Sequence, residues 1–131
     1  TSRAWWKAKA PTRIDLAGGT LDIWPLFLLI PRAQTLNVGI DLFAEADLRL
    51  TGGKSEIRLQ SEDQGADLTL SWSELEGAQL PPGLRIHQRL LLHYARRLRS
   101  KKKPGLVLRS RATSPAGAGL GGSSALNIAL T

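Results

Sequence analysis

Residues 115–125 read Pro-Ala-Gly-Ala-Gly-Leu-Gly-Gly-Ser-Ser-Ala, with four glycines in the six residues from Gly117 to Gly122. The hydroxyls of Ser123 and Ser124 follow, then an apolar run with helical character. Glycine lets a backbone approach an anion closely, and the first N–H groups of a helix point at whatever sits before it. The chemistry this combination suits is phosphate binding. The hydroxyls could add oxygens for phosphate or for Mg²⁺, a hard cation that wants oxygen ligands. The plainer reading is a tight strand-to-helix connection that needs glycine for its backbone angles. No Lys follows the glycines, so the loop is not G-x-x-x-x-G-K-[ST], and its G-x-G-x-G-G spacing is not the dinucleotide fingerprint.

The elements that must position this loop can be read from periodicity. Residues 4–10 suit a strand that Pro11 punctuates, and Arg13–Ala17 alternates until Gly18-Gly19 ends it. Residues 20–34 read as a loop with a short apolar turn between Pro25 and Pro31. Leu36–Ala44, Ala46–Leu50, Ser55–Gln60 and Asp67–Leu70 read as strands of an antiparallel meander, with a tight turn at Gly52-Gly53. Ser73–Glu76 opens a short turn or helix. Leu84 to about Ser100 is helical, with Leu84, Leu91, Tyr94, Ala95 and Leu98 on one stripe. Leu106–Leu108 is a strand, and Ser123 or Ser124 is expected to cap a final helix carrying Leu126, Ile128, Ala129 and Leu130. Strands, one long helix, then strand–loop–helix predicts an α+β fold.

The 131 residues suit one domain, and 42% hydrophobic content indicates a folded chain. There is no cysteine, which removes disulfides and thiolate metal sites and fits a reducing, cytoplasmic setting. The longest apolar stretch, Leu26–Ile30, is far too short to span a bilayer. Residues 1–77 carry eight Lys/Arg and all eleven acids, whereas residues 78–131 carry ten Lys/Arg and no acid. The second part therefore attracts anions. Its basic helix has only Tyr94 among aromatics, which disfavours nucleic acid as the partner. His87 and His93 lie six apart, which is not the spacing of a helical metal pair. Trp24 could pack against a sugar face or simply in the core. Arg13 could be a strand-surface ion pair with Asp15.

The order Pro115-x-Gly117-x-Gly119-Leu120-Gly121-x-Ser123-Ser124-Ala125 closely resembles the central motif of the GHMP kinases, the superfamily of galactokinase, homoserine kinase, mevalonate kinase and phosphomevalonate kinase. Ala10-Pro11-Thr12-Arg13-Ile14-Asp15-Leu16-Ala17-Gly18-Gly19-Thr20-Leu21-Asp22 resembles that family's N-terminal substrate motif, about a hundred residues upstream, where the family places it. Leu36–Asp41 is similar to the strand that follows. The resemblance covers essentially all of residues 1–131, but only the N-terminal, ATP-binding part of such a kinase. It implies a mixed, mostly antiparallel sheet with packed helices, truncated at its C-terminal end and lacking the C-terminal domain.

The resemblance also implies roles. The loop (Pro115, Gly117, Ala118, Gly119, Leu120, Gly121, Gly122, Ser123, Ser124) would wrap the phosphates of ATP, with Ser123 reaching Mg²⁺. Arg13 would be the catalytic cation near the transferring phosphoryl group, where developing negative charge needs a fixed partner. Asp22, with Gly19 and Thr20, would bind the substrate, the carboxylate taking a pair of sugar hydroxyls. Galactokinases carry Gly-Glu-His-Thr-Asp here, whereas Gly18-Gly19-Thr20-Leu21-Asp22 is nearer to the heptose-phosphate kinase and fucokinase branch. Gly122 stands where the family often has Ser. No Asp follows the loop to act as base, because every acid precedes residue 77. The expected acceptor is a hydroxyl of a sugar or sugar phosphate. The competing expectation is a non-catalytic fragment or subunit that pairs with another chain or with itself.

Overall fold

The computed structural model describes residues 4–19, 21, 23–52, 55–97, 103–115 and 117–131. Five strands form one sheet: β1 (Trp6–Ala17), β2 (Leu36–Thr51), β3 (Glu56–Ser61), β4 (Ala66–Ser71) and β5 (Gly105–Ala112). The helices are a short α1 (Leu26–Leu29), α2 (Trp72–Gly77), α3 (Arg85–Ala95) and α4 (Gly122–Leu130). The strand order is β1-β2-β5-β3-β4, all antiparallel except β5 beside β3. The mixed, mostly antiparallel sheet with packed helices is the expected α+β fold. Among the described residues, no helix is long and apolar enough to cross a membrane.

The meander expectation is corrected in one respect: β5 inserts between β2 and β3. It pairs antiparallel with β2 on one edge and parallel with β3 on the other, and its Leu106, Leu108 and Ser110 are buried. That pairing is non-local, and strand periodicity carries no information about it. Pro11 does not end a strand either. β1 runs through it with a register shift between Pro11 and Thr12, tolerated because β1 lies at the sheet edge, where a missing N–H is harmless. The two expected strands around Glu45 are one 16-residue strand. The Glu45 side chain pairs with Lys9 and Arg111 across the sheet, so the charge causes no break.

The core lies on one face of the sheet. Ile57, Leu59, Leu75 and Leu84 are fully buried there, together with Leu106 and Leu108, and α3 adds Leu91 and Leu92. α2 starts with a capping box, in which Ser71 and Glu74 satisfy each other's backbone N–H groups. α4 packs through Ala125 and Ala129 against Ala10, Ala44 and Ala46, with half-buried Leu126 and Leu130 beside them. The alanines at the contact let the helix sit close to the sheet, and the Arg13–Leu120 backbone bond holds its N-terminus near β1. The other face carries charge. Arg58 pairs with Asp67, Arg109 with Asp47 and Glu62, and Arg111 with Glu45.

α3 is shorter than the helix expected over residues 84–100. A 3₁₀ turn at Pro82–Leu84 precedes it, and residues 98–102 lie outside the described set. Its His87 is fully buried, with Nε2 hydrogen-bonded to Ser110 Oγ at 2.8 Å. Burial lowers the imidazole from 6.5 to about 4, against a smaller opposite pull from Asp63. The fold thus holds His87 neutral, while the unfolded chain takes up a proton below about pH 6.5. Its contribution to stability is complete above that pH and declines as pH falls towards 4. The unfolding free energy should be about 2 kcal/mol lower at pH 5 than at pH 7. Urea unfolding at the two pH values tests this, and a His87→Gln variant should flatten the difference.

Candidate functional site

The glycine loop and the N-terminal motif meet in space. The Arg13 N–H donates to the Leu120 carbonyl at 3.1 Å, across 107 residues of sequence. Arg13 Cγ lies 3.6 Å from where a Cβ on Gly121 would stand. The strand that follows the motif is paired with it, Ile14 opposite Val38 and Asp15 opposite Asn37. Arg13 Nε also donates to Asp15 Oδ1 at 3.3 Å, so the surface ion pair is present alongside the loop contact.

The loop's backbone is what glycine is needed for. Gly117, Gly119 and Gly121 have φ of 76°, 70° and 66°, alternate positions in the left-handed region. A Cβ at Gly117 or Gly119 would meet nothing within 4 Å, so this stretch faces open space. Gly121 is the N-cap of α4, and Ala125 N–H closes the first helical bond to its carbonyl at 2.9 Å. The expected serine cap is therefore corrected. The left-handed glycine starts the helix two or three residues earlier, no side chain caps it among the described residues, and Ser123 and Ser124 fall in its first turn, exposed. The consequence is chemical: the first N–H groups of α4 are not used by a capping side chain, and two hydroxyls stand beside them.

The loop borders a cleft of about 720 Å³. Gly117–Ser124 form one wall with Ser114 and Pro115, and Arg85, Ile86 and Arg89 of α3 form another. Asp63 and Gln64, from the β3–β4 turn, complete it. Among the described residues Asp63 is the only acid lining the cleft, and its carboxylate accepts from the Ala112 N–H, the Ser61 hydroxyl and the Gln64 amide. Among the described residues, no group of three His, Cys, Asp or Glu side chains is placed to share a metal ion. Gly122 has a local reason to lack a side chain, since Ser114 Oγ lies 2.7 Å from its Cβ position. Sequence reasoning missed Arg85 and Arg89. Periodicity places them on one stripe of the helix, which by itself reads as a solvated basic face and does not show that a cleft lies beside it.

The N-terminal motif turns sharply after β1. Gly18 has φ 71° and packs against Gln34, while Thr35 Oγ1 donates to its carbonyl at 2.9 Å. Gly19 lies against the Asp15 side chain. Thr20 and Asp22, named as substrate-binding, are outside the described residues. Trp24 is 73% exposed, which corrects core packing. It adjoins exposed Ile23, Phe27, Leu28 and Leu29, and exposed Ile14, Leu16, Leu36 and Val38 extend along β1 and β2.

No protein-family model matches the chain, and no curated protein matches it significantly by sequence. Solved structures do match. The mevalonate kinase of Methanococcus jannaschii aligns with TM-score 0.75 at 17% identity, over 99% of this chain and 39% of that one. A D-glycero-D-manno-heptose 1-phosphate kinase from Bacteriodes thetaiotaomicron aligns with TM-score 0.69 at 24% identity, over 97% and 40%. The Lactococcus lactis galactokinase complexed with galactose aligns with TM-score 0.64 at 16% identity, over 98% and 31%. The fold is thus of the GHMP-kinase type. The chain spans about two fifths of the length of the first two of these structures.

Proposed function

We propose that this chain is the nucleotide-binding part of a GHMP-type small-molecule kinase. The observation that carries the reading is the junction of its two motifs. A glycine loop with three left-handed residues opens on a 720 Å³ cleft and is hydrogen-bonded to the strand carrying Arg13. The fold likeness supports it. The reaction is transfer of the γ-phosphoryl group of ATP to a hydroxyl, with a sugar or sugar phosphate as the acceptor class that the Gly18–Asp22 sequence favours.

In this reading the amides of Gly117–Gly122 and the start of α4 hold phosphate oxygens, and Pro115 fixes the entry to the loop. Such positioning, with fixed dipoles, supplies most of the catalysis in phosphoryl transfer. Arg13 contributes a guanidinium at the α4 end of the loop, where charge spreads over the transferring group. Gly19, Thr20 and Asp22 hold the acceptor. The residues present suit Mg²⁺ bound mainly by nucleotide phosphates, since Ser123 offers an exposed hydroxyl oxygen and Asp63, the only acid of the cleft among the described residues, is already hydrogen-bonded. Magnesium, when bound, neutralises charge on the β- and γ-phosphate oxygens. The protein containing this chain, mixed with ATP, Mg²⁺ and a panel of sugars, heptose phosphates and mevalonate, should release ADP in an acceptor-dependent way. Release that no acceptor stimulates rejects the kinase reading.

One observation favours a second requirement. The exposed apolar strip from Ile14 and Leu16 to Leu36 and Val38 suits cover by another protein segment or a second copy. A stable, well-folded 14.2 kDa monomer on sedimentation would count against it.

A further inference from the structure

The glycine loop lacks a cation of its own. No Lys follows the glycines, and the Arg13 guanidinium is shared with Asp15. A polyphosphate carries several negative charges, and amides alone neutralise them only partly. The opposite wall of the same cleft supplies what the loop lacks. Arg85 and Arg89 stand one helical turn apart on α3 and both line the cleft. Each is exposed, and neither has an acidic partner among the described residues. By contrast Arg58, Arg109 and Arg111 are all ion-paired on the other sheet face. Arg85 is also braced, its Nε donating to the Leu80 carbonyl at 3.3 Å. Asp63, the cleft's one acid among the described residues, accepts hydrogen bonds from the β5 end and from its own turn, not from these arginines.

We propose that Arg85 and Arg89 form a guanidinium pair that takes phosphoryl oxygens of a polyphosphate lying against the glycine loop. The inference deepens the nucleotide reading and rests on the cleft being its phosphate site. Guanidinium forks suit phosphate because two parallel N–H groups meet two oxygens, and such charge-assisted bonds are stronger than neutral ones. The pair makes the cleft selective for the more highly charged tail: triphosphate over monophosphate, and either over the bare nucleoside.

The test is calorimetric titration of the chain with inorganic tripolyphosphate, ATP, AMP and adenosine at two salt concentrations. Arg85→Gln/Arg89→Gln should weaken tripolyphosphate and ATP at least about tenfold, leave adenosine unchanged and reduce the salt dependence. Arg89→Gln alone, which disturbs no bond to Leu80, should show part of the loss. Arg58→Gln, on the far face, should show none. The inference is overturned if the double variant binds tripolyphosphate like the wild type. It is equally overturned if Arg58→Gln loses as much, which would make the effect one of overall charge, or if adenosine binding falls in parallel. Arginine-dependent binding of tripolyphosphate without binding of ATP would reject the nucleotide reading and leave the pair standing. Normal ATP binding and transfer in the double variant would reject the pair alone. Wild-type protein that binds neither ligand rejects both.

Discussion

Arg13→Ala is expected to slow phosphoryl transfer by about 10²- to 10³-fold, the loss typical when one preorganised charge-stabilising donor is removed. The structure makes this substitution informative. The bond that ties β1 to the loop runs from the Arg13 backbone N–H to the Leu120 carbonyl, and any side chain preserves it. The Asp15 partner left behind is on the surface, where loss of an ion pair costs about 1 kcal/mol or less. A large fall in rate with little change in unfolding midpoint or ATP affinity therefore reports on the guanidinium itself. Arg13→Lys should recover part of the rate, because a lysine keeps the charge and loses the planar fork. Steady-state kinetics on the two variants, beside their thermal unfolding, measure the effect. An Arg13→Ala protein with wild-type turnover would return Arg13 to the role of a surface ion pair.

Gly18→Ala is the largest expected effect on stability. A Cβ there would lie 2.2 Å from the Gln34 carbonyl oxygen and 3.3 Å from Thr35 Cα. Both are backbone atoms, so no side-chain rotation relieves the collision. The left-handed φ adds about 1–2 kcal/mol for any residue with a Cβ. Overpacking adds about 1–3 kcal/mol more. The sum, roughly 2–5 kcal/mol, should lower Tm by about 10 °C or more in a chain of this size. Gly65 provides the control. Its φ is 62°, but a Cβ there would meet nothing within 4 Å, so Gly65→Ala should cost only the backbone strain. Equal losses at the two positions would show that the packing of the Gly18 turn against residues 34–35 is not what requires glycine.

These contrasts mark what the sequence could carry. The loop at Gly117–Gly122 was legible because its glycines are local conformational requirements, and three of the four adopt positive φ. The end of β1 at Gly18-Gly19 was legible for the same reason. The meeting of the two motifs followed only from their resemblance to a kinase family, since nothing local in either segment encodes a contact across 107 residues. The position of β5 was hidden, because a short apolar strand has no mark of which neighbours it chooses. That one placement sets the cleft: it carries Ser114 and Pro115 to the turn holding Asp63 and brings α3 over the sheet. Arg85 and Arg89 were obscured for a related reason. A basic helix face without acids looks solvated until the fold shows what lies opposite. Ser123 and Ser124 looked like caps because serine favours that place, and the left-handed Gly121 took it instead.

The central claim is that the Gly117–Ser124 loop holds the phosphates of ATP. Titration calorimetry of Mg·ATP into the chain, beside a Gly119→Val variant, tests it most directly. Gly119 has φ 70° and an open Cβ direction, so valine would strain the loop's backbone without striking any other part of the fold. The expected result is saturable one-site binding by the wild type that Gly119→Val weakens at least about tenfold, a cost of about 1.4 kcal/mol, while the protein stays folded and Tm falls only by the several degrees that backbone strain of about 1–2 kcal/mol causes. Absence of saturable binding by the wild type, or undiminished binding by a folded Gly119→Val protein, would contradict it.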